Sequence, residues 1–382
     1  MQLDLQGCEL LREIARLPRD PSEERLHELL TKIRDWDSTV KAAREHGILT
    51  MLYRHIAHQS PPIPERTMFQ IRSEFESSAL NGLTNAVELL DVLEAFNKES
   101  IPAMPFKGVV LGASVYGDLM TRPAGDLDLL IFPDDLKKAT SILQQRGYQL
   151  TTATREDGSP AIENYYEYHF ERESDGRVIE LRWRLELTQP RFRRNLGMDW
   201  IWPRRRTTTL AGAEVPDMDP VIGLLVLCMH GSKHRWSRLI WICDVARFVF
   251  KQTSLDWNRV EREAKRSGLW KPLALGVLLA SRIGSAPVPE PVLKRFASDR
   301  AVNNLAQHFD QSLFHDTFSA PGGRLPYHVQ LLGASDRARL LLSIDFLRPN
   351  DRDLASVRLP KLLYPLYYLI RPFRIIVDRS PR

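Results

Sequence analysis

The chain has 382 residues, 43% of them apolar and 26% charged; that balance excludes a disordered or fibrous chain and suggests two or three domains or one elaborated domain. A net charge of +5 accommodates an anionic ligand such as a nucleotide without requiring DNA or RNA. Three cysteines, Cys8, Cys228 and Cys243, with no C-x-x-C pair, argue against a zinc site or disulfide framework and for a reducing cytoplasm. The N-terminus has no basic region ahead of an apolar core, and no apolar run approaches the roughly 18 residues of a membrane span, so neither a signal peptide nor a transmembrane helix is expected.

Residues 1–100 read as an N-terminal helical region. Apolar positions recur at helical spacing in Leu10, Leu11, Ile14 and Leu17, and again in Leu26, Leu29, Leu30 and Ile33. Asp20-Pro21-Ser22-Glu23-Glu24 has the proline and acids of a helix start. The pattern from Trp36 to His55 breaks at Gly47, and His46 beside it reads as a surface histidine. A proline-rich linker at 60–64 precedes a long helix from Arg66 to Glu99, with Leu80, Leu83, Val87, Leu90, Val92, Leu93 and Phe96 expected inward.

A core strand is expected at Ile101–Phe106, although Pro102 and Pro105 weaken the pattern. The next stretch, PFKGVVLGASVYGDLMTRPAGDLDLLIF from Pro105 to Phe132, organises the rest. The apolar run Leu129–Phe132, bounded by a Gly-Pro loop and Pro133, reads as a buried strand. Asp126 and Asp128 then point to one face, about 7 Å apart. Two carboxylates at the start of a core strand need a cationic partner, and hard divalent ions such as Mg²⁺ suit oxygen donors. Such a pair serves two-metal phosphoryl and nucleotidyl transfer. The order is strand, glycine turn at Lys107-Gly108, short helix, loop with Arg122, and strand with D-x-D; Gly108 would let backbone amides approach phosphate, and Lys107, Arg122 and Lys233 would neutralise charge developing there.

That order, and the run KG-V-V-L-x(4)-Y-G-D-L-x-x-R-P-x-G-D-L-D-L-L-I, resembles the uncharacterised nucleotidyltransferase family of the polymerase-β-type superfamily, related to AbiEii-type toxin nucleotidyltransferases. The resemblance implies an α+β fold: a small mixed nucleotidyltransferase sheet, here at 101–190, flanked by N-terminal and C-terminal helical regions, the latter (191–382) completing the nucleotide cleft. It also implies an NTP substrate and Mg²⁺, two ions being usual.

A helix is expected from Asp134 to Arg146 with Gly147 as its cap, a strand at Tyr148–Thr152, and a polar loop at 153–163. A hairpin follows, with strands Tyr165–Arg172 and Val178–Leu185 joined at Ser174-Asp175-Gly176-Arg177. Ile179, Leu181, Trp183 and Leu185 face one way; Val178, Glu180, Arg182 and Arg184 face the other. Glu180 is the candidate third carboxylate, the alternative being an ion pair with Arg182 or Arg184. In the family this strand reads acid, apolar, His, Trp; here it is Glu180-Leu181-Arg182-Trp183, so arginine replaces the histidine.

Residues 186–218 read as an irregular basic segment with Arg191, Arg193, Arg194, Arg204, Arg205 and Arg206, solvated or meeting phosphate. From Asp219 to Phe250 one long helix is expected, broken if Gly231-Ser232 kinks it. On that helix His230, Lys233, His234, Ser237, Trp241 and Asp244 fall within an arc of about 100°, a polar stripe that would line a cleft. HG-x-KH-x-W-x-x-L-x-W-x-x-D at 230–244 is similar to the family's second signature, and Arg238 with Asp244 matches the toxin relatives' R-x(5)-D. By that resemblance Lys233 contacts phosphates, Trp241 or His230 lines the base or ribose, and Asp244 orients Lys233 or Arg238.

Residues 255–318 read as helical with a joint at Pro287-Val-Pro-Glu-Pro, ended by Pro321-Gly-Gly. The tail to Arg382 reads as a helix docked on the core, with peripheral membrane contact the lesser alternative. The implied activity is transfer of NMP from an NTP to an acceptor hydroxyl or phosphate. The acceptor is open: a small molecule, saccharide or peptide in a biosynthetic tailoring step, or tRNA for a toxin-like enzyme. A catalytically degenerate nucleotide-binding module is the non-enzyme alternative.

Overall fold

The computed structural model describes residues 5–16, 23–57, 63–152, 166–185, 196–314 and 327–331. The helix-start residues 20–22, the linker prolines at 61–62, the loop at 153–163, the arginines at 191–194 and the tail beyond 331 lie outside the described residues.

Four helices lead the chain: α1 (Leu5–Ala15), α2 (Glu23–Lys32), α3 (Trp36–Glu45) and α4 (Leu49–Ile56), followed by the 34-residue α5 (Glu65–Lys98). The core chain then runs β1 (Ala103–Pro105), α6 (Gly108–Leu111), β2 (Asp126–Ile131), α7 (Leu136–Gln145), β3 (Gln149–Leu150), β4 (Glu167–Arg172) and β5 (Arg177–Arg182). The five strands form one mixed sheet in the order β1-β2-β5-β4-β3. Only β2 and β5 pair in parallel; the other neighbours are antiparallel. The fold is therefore α+β, with a small mixed sheet between helical regions.

Beyond the sheet come α8 (Met198–Ile201), β6 (Arg206–Leu210), β7 (Ala213–Asp217), α9 (Pro220–Lys233), α10 (Leu239–Lys251), α11 (Trp257–Ser267), α12 (Trp270–Arg282), α13 (Glu290–Ala297), α14 (Arg300–Ser312) and α15 (Tyr327–Gln330). The β6–β7 hairpin replaces the irregular segment expected at 206–217. It closes through Ala211 and Gly212, both at positive φ, the conformation a two-residue hairpin turn requires. Its arginines are engaged locally: Arg205 lies over the Trp202 ring at 4.1 Å and Arg206 pairs with Asp217 at 3.3 Å.

The N-terminal helices share one apolar core with α9, α10, α12 and α14, while the sheet builds a second core with α5 and α7. His46 is part of the joint. It is buried rather than at the surface as expected; its Nδ1 accepts from the Leu239 amide at 3.3 Å and its ring packs against Phe314. Burial, reinforced by Arg238, lowers its pKa to about 4, so it sits neutral as an acceptor.

The inward face of α5 also differs from expectation. Leu80, Leu83 and Val87 are 61%, 51% and 58% exposed, while Ala79, Gly82, Asn85, Ala86, Glu88 and Leu89 are buried together with Val92 and Phe96. The reason is polar tethering. Asn85 donates to the Ala124 carbonyl at 2.9 Å and accepts from Arg177, and Glu88 takes both arms of Arg172. Small and hydrogen-bonding residues therefore face the sheet, turning the larger apolar ones outward.

Candidate functional site

The site forms where β2 and β5 run side by side. Their parallel register sets Asp128 opposite Glu180, and Ile179 and Leu181 on the other face are fully buried, which locks Glu180 toward the site. Carboxylate oxygens of Asp126, Asp128 and Glu180 all lie within 4.8 Å of one another. The arrangement predicted from the D-x-D and the hairpin is thus present as a cluster.

Cations enter it from two sides. Lys107 Nζ stands 2.9 Å from Asp128 Oδ2. Its backbone is at φ 59, followed by Gly108 at φ 44. Two successive residues in the left-handed region make a sharp exit from β1, and for a lysine that conformation is strained; only glycine takes it freely at the second position. From the other side Arg182 reaches Glu180 and Glu167 with its terminal nitrogens, while its Nε lies 3.6 Å from Asp128 Oδ1. Glu180 therefore stands in the acidic cluster and also pairs with Arg182, on a face that is largely buried.

Charge states follow from this packing. Burial opposes ionisation of Asp128, but Lys107 and Arg182 outweigh it and hold the carboxyl below the usual range. Burial and the charge of Asp128 push Asp126 up. Burial, then Asp128 and Asp126, raise Glu180 to about 8. Asp128 Oδ1 is buried with no hydrogen-bond donor among the described residues, so a proton on Glu180 or a cation must satisfy it.

The opposite wall comes from α9, the bend after it, and α10. The single helix expected over 219–250 is two helices, because Arg235 and Trp236 adopt positive φ and the Trp236 amide returns to the Gly231 carbonyl at 2.8 Å. Trp236 is fully buried against Gly231; a Cβ there would stand 2.3 Å from the indole ring. The bend nonetheless brings His230, Lys233, His234, Arg238 and Trp241 to one cavity of about 730 Å³ with Lys107, Gly108, Arg122, the three carboxylates, Glu167 and Arg182. His230, His234 and Trp241 form an aromatic cluster, with His234 and Trp241 centroids 5.1 Å apart. Burial lowers both histidines, His234 to about 4, so they are neutral at pH 7. Burial, with Arg182 and Lys107, also lowers Lys233. Neither Lys233 nor Arg238 has an acidic partner among the described residues, and Arg238 leans over Trp241 at 6.0 Å.

Two expected roles change. Ser237 is exposed and does not line the cavity. Asp244 is buried beneath the site and orients neither Lys233 nor Arg238. It takes Arg122 through both oxygens at 2.9 and 3.0 Å, and the Tyr116 hydroxyl at 2.7 Å. Arg122 in turn donates to the Gly108 and Pro123 carbonyls at 3.4 and 3.3 Å. This pair braces the turn before α6 and the loop before β2. It forms because residues 116–122 are threaded against α10, a contact that spacing does not reveal.

Glu167 and His169 went unremarked in the sequence. They alternate with buried Tyr168 and Phe170 on β4, and the antiparallel register sets them opposite Arg182 and Glu180. That alternation was the available signal.

The family model described as uncharacterised nucleotidyltransferase matches residues 32–284. No curated protein matches the chain. Two solved structures of ANT(2'')-Ia are similar at 16% identity over 48% of this chain. One is the solution structure of that antibiotic-resistance factor, covered over 92% of its length with a TM-score of 0.32. The other is a crystal structure in complex with adenylyl-2''-tobramycin, covered over 98% with a TM-score of 0.30.

Proposed function

The chain belongs to the uncharacterised nucleotidyltransferase family, and on that premise we propose that it transfers NMP from an NTP to an acceptor at the Asp126–Asp128–Glu180 cluster. We assign the chemistry to the 101–190 core and the rest of the nucleotide cleft to the helices that follow. The observation that carries this reading is the convergence of three carboxylates, one with a buried oxygen that no described residue hydrogen-bonds, on a cavity whose far wall holds two cations with no acidic partner among the described residues.

The donor set fits a hard divalent ion: all oxygen, clustered, and with Asp128 Oδ1 buried and without a hydrogen-bond donor among the described residues. Asp126, Asp128 and Glu180 would hold Mg²⁺, which when bound neutralises phosphate charge and acidifies an attacking hydroxyl. The protein's own groups do the rest. Lys233 and Arg238 meet the triphosphate as point charge and fork. Trp241, with the neutral His230 and His234, offers a flat apolar surface for the base. Lys107 neutralises charge near Asp128, and Arg122, held by Asp244, keeps the Gly108 turn in place. With a hydroxyl acceptor, its oxygen bonds to the α-phosphorus, the bond to the bridging oxygen of pyrophosphate breaks, and pyrophosphate leaves with the electron pair. The hydroxyl proton passes to Glu180, the carboxylate placed to accept it.

The test is transfer of label from α-³²P NTPs to acceptors in cell extract and to total tRNA, with Asp126→Ala/Asp128→Ala as control. Labelled tRNA supports a toxin-like acceptor, and a labelled small molecule, saccharide or peptide supports tailoring. Full activity and unchanged Mg²⁺ dependence in Asp128→Asn would refute the mechanism, and nucleotide binding without turnover on any acceptor would leave a degenerate module.

A further inference from the structure

We propose that the α3–α4 turn and the start of α4 form a clasp that holds the two walls of the cavity in register, with His46 and Thr50 as positioning residues for the nucleotide. This rests on the nucleotide reading above and gives the N-terminal helices a role beyond packing.

Each wall meets the clasp through hydrogen bonds. A helix N-terminus leaves amides without intrahelical partners, and at α10 the Arg238 side chain makes no capping bond among the described residues. His46 supplies the cap from the other side of the fold. Its Nδ1 accepts from the Leu239 amide at 3.3 Å and its carbonyl from the Ile240 amide at 3.1 Å. The turn so capped carries Arg238 and Trp241 into the cavity, and it fixes where both stand. Because those two amides are spent on His46, phosphate is left to the side chains. On α4, buried Thr50 donates to the Thr121 carbonyl, and Arg54 pairs with Asp118 and donates to the Thr121 hydroxyl. Asp118 in turn accepts from the Met120 and Thr121 amides, both at 2.7 Å. These bonds hold the loop that ends in Arg122, on the sheet side of the cavity.

The Arg122–Asp244 pair closes a triangle by joining that loop directly to α10. Gly47 lies within it. It lines the cavity at φ 71, and a Cβ there would stand 3.0 Å from Ile240 Cγ2, so the turn seats against α10 with no room for a side chain. A nucleotide held between the two walls depends on their spacing, and a shift of about 1 Å is costly to such geometry.

Binding of fluorescent, nonhydrolysable ATP and GTP analogues with Mg²⁺, measured on the full chain beside urea unfolding, tests this. His46→Asn keeps an acceptor near the place of Nδ1, and Thr50→Ser keeps the hydroxyl. His46→Leu and Thr50→Val remove these groups at similar size. The expected result is affinity within about twofold of native for His46→Asn and Thr50→Ser, and a loss of roughly 5- to 10-fold for folded His46→Leu and Thr50→Val, the worth of one hydrogen bond. Native affinity in both apolar variants, with only the urea midpoint lowered, overturns the proposal while the nucleotide reading stands. Equal losses in the conservative and apolar variants also overturn it, since the hydrogen bonds would then not be what positions the walls. No binding of either analogue by the native protein overturns both. Should His46→Leu not fold, Thr50→Val against Thr50→Ser decides.

Discussion

The buried pair beneath the site gives the sharpest prediction. Arg122 and Asp244 are 8% and 2% exposed, and Asp244 also accepts from Tyr116. Asp244→Ala removes the only acidic partner recorded for the Arg122 guanidinium among the described residues and leaves it, still charged, out of water. Breaking a buried pair by deleting one partner costs about 3–5 kcal/mol, and the orphaned Tyr116 hydroxyl brings the expected loss toward the upper end. Against a typical domain stability of about 5–15 kcal/mol, that is a third or more. The assay is urea unfolding followed by tryptophan fluorescence, run on Asp244→Ala, Arg122→Met and the double variant Arg122→Met/Asp244→Leu. The double variant should be more stable than Asp244→Ala alone, because no unpaired charge remains. If Asp244→Ala costs less than about 1 kcal/mol, or the double variant is the least stable, the brace is not what these side chains form. An Asp244 acting directly on nucleotide would instead raise KM at unchanged stability.

Three further outcomes follow from the site. Lys233→Ala should weaken binding of a fluorescent NTP analogue roughly 10- to 100-fold, the worth of about 1.5–3 kcal/mol for a charge-assisted contact, while the urea midpoint stays put because Lys233 has no ion pair among the described residues; an unchanged affinity would exclude it from the phosphate site. Gly231→Ala should destabilise by about 1–3 kcal/mol, since the new methyl would meet the Trp236 ring at 2.3 Å; unfolding measurements that match the native protein would show that the bend does not depend on this contact. Glu180, raised from 4.5 to about 8, holds its proton longer folded than unfolded. The metal-free protein should therefore lose stability as pH rises from about 4.5 through about 8, the unfolded state binding fewer protons over that window. Glu180→Gln should flatten that slope, and parallel profiles for the two proteins would contradict it.

Local pattern carried much of this into the sequence. The D-x-D followed by an apolar run, the alternation around Glu180, and the glycine turn at Lys107-Gly108 each depend on neighbours a few residues away, and each stands where expected. What the sequence hid depends on distant chain. Leu80, Leu83 and Val87 look like a core stripe, yet Asn85 and Glu88 find partners at Ala124, Arg172 and Arg177 and rotate the helix. The break at 235–236 follows from an indole folding back onto Gly231, not from glycine flexibility alone. Asp244 shares the stripe's angle but sits in a separate helix, so it meets Arg122 instead of Lys233. The β6–β7 hairpin was masked by its arginines and threonines, which alternate too little in hydrophobicity to signal a strand.

The side-by-side pairing of β2 with β5 has an evolutionary reading. Asp128 and Glu180 meet through a ladder that is fixed by its own backbone bonds and by the apolar residues behind it, so the chain travelling between them answers to no length requirement from the acids. Length changes in the connections among α7, β3 and β4 would leave the two acids facing one another as long as β4 keeps its place beside β5. Such an enzyme is free to be refitted for new acceptors while its engine stays untouched.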